Sequence, residues 1–514
     1  MLSPSSSFLL KATAVLSILI GNASLSAQDL SRGEAIWKKT CTECHGADGQ
    51  GVSGKYDHPL TGLGSLDEVA ALIEQTMPEQ DPSLCVGEDA RAAAEFLLAK
   101  NSPPPNQATR ARIELLHLTT TQYRNAIASI FDEFLGHSEP VAERGLRARY
   151  FNSRGFDNDK KVEERIDATI DVDWQQAGPL GDKTDPNEFC VQWEGSVFAP
   201  TSGVYRFIVQ SPNGYRLYIN RLNKPLLDSW VATINEPEKS VEIQLLGGRW
   251  YSLKFEFLKV KDPAVSVRLL WQPPHRARAI VPQSVLMPAI SRPVMVVQTP
   301  FPADDSNLGY RRGTLVSNEW NQATTDAAIE VATIVSEHLP RFVGKKAEDE
   351  KFADAARKFC TRIAERSFRR SLSEELQGRY IDDFFQQTDR PADAAKGSLT
   401  AILKSPMFLY LGLNRERQDV EATAERVAWA LTDTLPTKNL EAFVSSARAQ
   451  NTDARHAIAE EILRSPAGKL KWQQFFSEWL KLEETGELSK DQETFAGFDE
   501  QLVNDLQESL LRFV

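Results

Sequence analysis

The hydrophobic period changes twice along this chain, and that change restricts the available folds more than any other feature. Up to about Lys100, and again from about Asn318, apolar residues recur at three and four positions, the spacing of helices with one buried face. Between about Arg144 and Pro274 the period is two. There V-Y-R-F-I-V-Q, Y-R-L-Y-I-N, W-Y-S-L-K-F-E-F and S-V-R-L-L-W alternate apolar and polar residues, parted by S-P-N-G, L-G-G-R and K-D-P turns. The chain is therefore expected to be multidomain: a small all-α domain, an antiparallel β-sandwich or barrel, and an all-α C-terminal region. Its 514 residues suit roughly three or four hydrophobic cores.

Residues 1–27 read as an export signal. Lys11 precedes the apolar run Ala12–Gly21, and small residues follow up to Ala27. That run is too short to span a bilayer well, and an uncleaved N-terminal anchor is the alternative. No other window approaches a membrane span, so the mature chain is expected in the periplasm or otherwise exported. Residues 28–100 form the first domain, and 101–142 hold a Pro-rich linker and a short helix over Leu115–Phe131. Thr119 or Thr120 would cap that helix, and Tyr123, Ile127, Ile130 and Phe131 mark its apolar face. Being too short to stand alone, it should pack against something later in the chain. The sandwich is placed at 143–290, a connector without a period at 291–317, and helices at 318–514. The last of these stops mid-pattern at L-L-R-F-V, as a truncated chain would.

The net charge of −12 argues against sequence-independent nucleic-acid binding, which needs a basic surface. Chemistry is concentrated instead in K-K-T-C-T-E-C-H-G-A-D-G-Q-G, Lys38–Gly51. Cys41-x-x-Cys44-His45 has the spacing of c-type haem attachment. Two thiols three apart on a helix can each add to a haem vinyl group, and the adjacent His45 reaches the iron. Gly46 lets the chain leave the helix close to the porphyrin. A thioredoxin-like dithiol would need a strand before the motif. A zinc site would need four ligands, with Cys85 or His58 completing it. A structural Cys41–Cys44 disulfide would leave His45 without a purpose.

Among the five methionines, Met77 in Q-T-M-P is the candidate sixth ligand, 32 residues past His45 and inside the same small domain. Its spacing alone fits a packing residue equally well, and its position inside the small domain favours the iron ligand. His58 is a second candidate ligand, with a solvated loop histidine as the plainer reading. His45 and Met77 together would give a low-spin, relatively high-potential iron suited to electron transfer.

The first domain resembles a small class I cytochrome c, on G-E-A-I-W-K-K-T-C-T-E-C-H-G, G-A-D-G-Q-G, T-M-P and the final A-A-E-F-L-L. The resemblance implies one covalent haem c. It also implies that the first and last helices cross, with Ile36 and Trp37 against Phe96 and Leu97. The order of modules is similar to planctomycete multidomain cytochromes, in which planctomycete-specific helical domains follow the cytochrome, often with an inserted β-sandwich. L-H-L-T-T-T-Q-Y-R-N-A-I, R-I-A-E-R-S-F-R-R-S-L-S-E-E-L, A-I-L-K-S-P-M-F-L-Y-L and F-F-S-E-W-L-K-L match blocks of that family. Family members often pair a cysteine at the position of Cys85 with one four residues on, but here that position is Asp89. Cys85 should then be a free thiol or a partner of Cys190 or Cys360.

The sandwich resembles the anthrax-protective-antigen type of domain. In the sugar-binding adhesins of that type, two adjacent aspartates before the L-Y-I-N-like strand hold calcium. Here the turn is Ser211-Pro212-Asn213-Gly214, so calcium-dependent glycan binding does not carry over. These readings imply an exported electron carrier that passes single electrons to or from an unidentified redox partner. The alternatives are a carbohydrate-binding or cell-surface adhesion protein, with glycan contact through the sandwich, and a haem-dependent oxidoreductase. Nothing in the helical region names a substrate.

Overall fold

The computed structural model describes residues 27–513 apart from 48, 61–64, 102–115, 137, 176–177, 232–236, 262–263, 313–314, 412, 414–419 and 492. The expected signal run Ala12–Gly21 and most of the Pro-rich linker lie outside the described residues. The described residues divide into two compact units, 27–101 and 116–513.

In the first unit a helical stretch runs from Ala27 to His45. Ala27–Ile36 is α-helical, Trp37–Cys41 makes a π-helical turn, and Thr42–His45 resumes the α form. It crosses the closing helix Glu88–Asn101 at Gly33, where a Cβ would fall 2.1 Å from the Ala92 carbonyl oxygen and 2.6 Å from Phe96 Cβ. A poor helix former sits mid-helix because it lets two backbones touch. Trp37 is buried with Val69, Ala94 and Leu97, its ring 6.3 Å from that of Phe96. Ile36 departs from expectation. Successive helical side chains point about 100° apart, and Ile36 turns to the neighbouring cluster of Cys85, Ala90 and Ala93. Gly33→Val should overpack this crossing and cost the unit about 1–3 kcal/mol, read as a lowered melting transition.

The period-two region forms two antiparallel sheets. One is ordered Lys161–Asp167, Leu146–Phe151, Glu188–Ala199, Arg249–Val260, Gly214–Ile219, Leu227–Ser229. The other is ordered Ala279–Ile280, Val265–Gln272, Gly203–Gln210, Glu238–Leu245, with Asp171–Gln175 also on Val265–Gln272. Their facing rows, including Trp193, Phe255 and Phe257 from one sheet and Tyr205, Phe207 and Leu269 from the other, share one core.

Thr119 caps the helix Thr120–Leu135 through a capping box. Its hydroxyl accepts from the Gln122 amide at 3.1 Å, and the Gln122 side chain accepts from the Thr119 amide at 3.0 Å. Tyr123, Ile127, Ile130 and Phe131 are fully buried. They share a core with Val331 and Val335 of Asn318–Glu337, Phe359 and Ile363 of Phe352–Phe368, and Leu399 and Ile402 of Pro391–Lys404. Just before the cap, Leu116–His117 pairs antiparallel with Tyr410–Leu411. The helix also gives Ala128 to the sandwich core, and Asp132 accepts from Arg249 at 2.8 Å. The sandwich is thus inserted between this helix and the helices it packs with.

The end of the sandwich and the start of the connector are packed into the two cores. Leu286–Met287 pairs with Val197 and Ser196. Beyond it Met295 and Val297 enter the helical core while Val296 enters the sandwich core. The run V-M-V-V shows no polar alternation because its two faces are buried in different cores.

Candidate functional site

The π-helical turn followed by Thr42–His45 places Cys41, Cys44 and His45 in one short stretch, and the three environments differ. Cys41 is half-buried against the Trp37 cluster, and burial raises its thiol pKa above the usual value. Cys44 is exposed. His45 is 8% exposed, and burial lowers its pKa, so the imidazole is neutral at neutral pH, the form in which a ring nitrogen can ligate a metal. Its ring is held between Trp37, stacked at 6.2 Å, and Tyr56, edge-on at 4.6 Å. Among the described residues its buried Nδ1 has no hydrogen-bond partner.

The Gly-rich loop that follows puts Tyr56 there. The Gly51 amide donates to the His45 carbonyl at 3.0 Å, and Val52 and Tyr56 exchange backbone hydrogen bonds at 2.7 and 2.9 Å. Gly51 has φ +91°, and a Cβ on it would meet the Tyr56 carbonyl oxygen at 2.4 Å, so this tight return requires glycine. Sequence reasoning passed over Tyr56 and weighed its neighbour His58. His58 is exposed, edge-on to Tyr56 at 6.2 Å. The alternation of glycines before K-Y-D-H-P was the available signal.

Met77 lies on another element, capping the C-terminus of Leu66–Thr76, half-buried, with its amide donating to Ile73 at 2.9 Å. All five cysteines are free thiols. Cys85 is buried beside Ala90 and Ala93, and burial, with a smaller contribution from Cys41, pushes its thiol pKa up to about 11. Cys190 donates to the Gly155 carbonyl at 2.9 Å inside the sandwich, and Cys360 is buried in the helical core. Asp89, four residues past Cys85, accepts from Arg32 at 2.7 Å and joins the first helix to the last.

Two unpaired thiols and a neutral, unpartnered imidazole on one turn fit a group that is bound covalently through sulfur and axially through nitrogen. Residues 28–97 match the family described as cytochrome C oxidase, cbb3-type, subunit III. The N-terminal domain is a cytochrome c domain. Such a domain implies covalently bound haem c, and Cys41, Cys44 and His45 are the residues of this one that would hold it. Residues 142–284 match the PA14 domain, and residues 419–514 match a protein family of unknown function, DUF1592. A curated relative, the anti-sigma-I factor RsgI3 of Acetivibrio thermocellus, is 32% identical over 142 residues, 28% of this chain and 21% of its own. The chain thus spans about a fifth of that relative's length. An anti-sigma factor domain-containing protein from Clostridium clariflavum is 31% identical, with 29% of this chain and 48% of that chain covered and a TM-score of 0.26. The PA14 sugar-binding domain from an RTX adhesin is 16% identical, with 29% and 100% covered and a TM-score of 0.23.

In the PA14 domain the turn before Gly214–Ile219 is closed by its own side chains. Ser211 donates to the Ser266 carbonyl at 2.7 Å and Asn213 to the Ala264 carbonyl at 3.1 Å. Among the described residues no three His, Cys, Asp or Glu side chains gather to hold a metal ion, and no helix is long and apolar enough to cross a membrane.

Proposed function

We propose that this chain is an exported c-type cytochrome of the planctomycete multidomain kind, carrying one haem and passing single electrons to or from a redox partner. The observation that carries the reading is the turn Cys41–His45, with both thiols free and the His45 ring clamped between Trp37 and Tyr56. Haem bound there supplies one-electron chemistry at an iron whose potential follows its axial ligands and their surroundings. The residues of the chain hold and orient it. Cys41 and Cys44 anchor the macrocycle, and His45 gives its nitrogen from a fixed ring plane. Trp37 and Tyr56 exclude water from that face. Met77 would supply a further ligand to the iron, which favours carrier over catalyst. The helical region then docks the partner or builds the larger assembly.

Optical spectroscopy of the haem-loaded chain tests the ligand assignment. The wild type should be low-spin with a Met-to-iron band. Met77→Ala should lose that band and become high-spin, whereas His58→Ala should leave the spectrum unchanged. A wild-type spectrum in Met77→Ala would remove Met77 from the iron. A high-spin ferric wild type that turns over peroxide well above free haem would favour the oxidoreductase instead.

A further inference from the structure

At the end of the sandwich opposite the Ser211–Gly214 turn, a cleft of about 510 Å3 separates the loops after Ala199, Leu245 and Gln272 from the helices Thr120–Leu135 and Pro466–Trp479. That volume lies in the range of small-molecule sites. We propose that this cleft binds a small, neutral, polyhydroxylated molecule: a sugar of one or two rings, or a cyclic polyol.

Two features of the lining select that chemistry. The first is its unspent hydrogen-bonding capacity. Thr121, Ser129, Thr434, Gln473 and Ser477 line the cleft, and among the described residues none of their side chains has a hydrogen-bond partner in the protein. Elsewhere in the same helical core, hydroxyls are spent locally. Thr361, Thr400 and Ser445 each donate to the carbonyl four residues back, at 2.7 to 3.1 Å, and Thr432 of the cleft wall does the same. Ser129 and Ser477 sit within helices and make no such bond, so their hydroxyls remain for solvent or ligand.

The second feature is charge. Every lysine and arginine of the cleft wall has a carboxylate partner, and among the described residues Glu483 is a lining carboxylate that pairs with none of them. Arg249 pairs with Asp132 at 2.8 Å, Lys471 with Asp433 at 2.7 Å, and Arg276 with Glu508 at 3.2 Å. An anionic ligand would have to displace a carboxylate from its partner and would meet Glu483 as well, whereas a neutral polyol needs only the idle donors and acceptors. Two non-glycine residues of the lining, His275 and Asp433, hold left-handed backbone at φ +58° and +49°. Such strain clusters at binding sites. The lining has no Phe, Tyr or Trp, so the ligand would be held by its hydroxyl edge more than by stacking.

The inference is independent of the haem reading, and binding should be the same in the haem-loaded chain and in the Cys41→Ser/Cys44→Ser variant. The test is saturation-transfer NMR on the full chain with glucose, N-acetylglucosamine, cellobiose and myo-inositol as neutral probes, and glucuronate and glucosamine as charged ones. At least one neutral probe should bind, and each should outcompete its charged counterpart. Ser477→Leu and Gln473→Leu, which fill the cleft, should weaken that binding at least tenfold. Ser477→Ala, which removes one hydroxyl and little volume, should weaken it about threefold with an unchanged melting curve. The proposal is overturned if no neutral probe registers, if the charged probes are preferred, or if binding survives the cleft-filling substitutions in folded protein.

Discussion

Cys41→Ser with Cys44→Ser is expected to abolish covalent haem attachment. Expressed in a periplasm with haem-maturation machinery, the wild-type chain should show an intact mass one haem above that of the mature polypeptide. The double variant should show the polypeptide alone and no haem absorption after denaturation. The effect is complete because serine has the shape of cysteine without a sulfur nucleophile for the vinyl group. Cys85 cannot substitute, being buried at 1% exposure with its thiol pushed up to about 11. A double variant that retained covalent haem would refute the attachment site. A wild type without added mass under the same conditions would refute the cytochrome reading itself.

Lys471→Ala is expected to be the most damaging single change in the second unit. Lys471 and Asp433 are 3% and 6% exposed at the side chain and lie 2.7 Å apart. Lys471 also donates to the Gly309 carbonyl at 2.5 Å and stands 4.2 Å over the Tyr310 ring, while Gln122 donates to Asp433 at 3.0 Å. Burial already raises the Asp433 pKa despite its cationic partner. Removing the lysine leaves that carboxylate buried with one amide and no cation, which costs about 3–5 kcal/mol. Urea unfolding monitored by far-UV circular dichroism should register the loss. Replacing both residues, Lys471→Met with Asp433→Leu, should recover most of it, since burying neither charge removes both desolvation costs. If Lys471→Ala and the double variant were equally unstable, packing and not the charge pair would be responsible.

The candidate haem turn could be named from the sequence because two thiols and an imidazole at fixed spacing need no distant partner to be noticed. The cap at Thr119 and the buried face of its helix were legible for the same reason, since capping and amphipathic period are properties of a few consecutive residues. Tyr56 was not, because its contact with His45 depends on how a loop of glycines returns. The segment around Met295 was misjudged because an irregular segment buried on both sides, in two cores, has no polar alternation to reveal it.

By itself, then, the sequence determined where a haem can be attached, which stretches are helix and which are strand, and that several cores are needed. Only the tertiary structure decided that Thr120–Leu135 belongs with helices beyond the sandwich, that the charges of Asp433 and Lys471 meet, and that idle hydroxyls from separate helices face one cleft. Those are contacts between residues far apart in the chain, and local patterns carry no information about which buried faces will find each other.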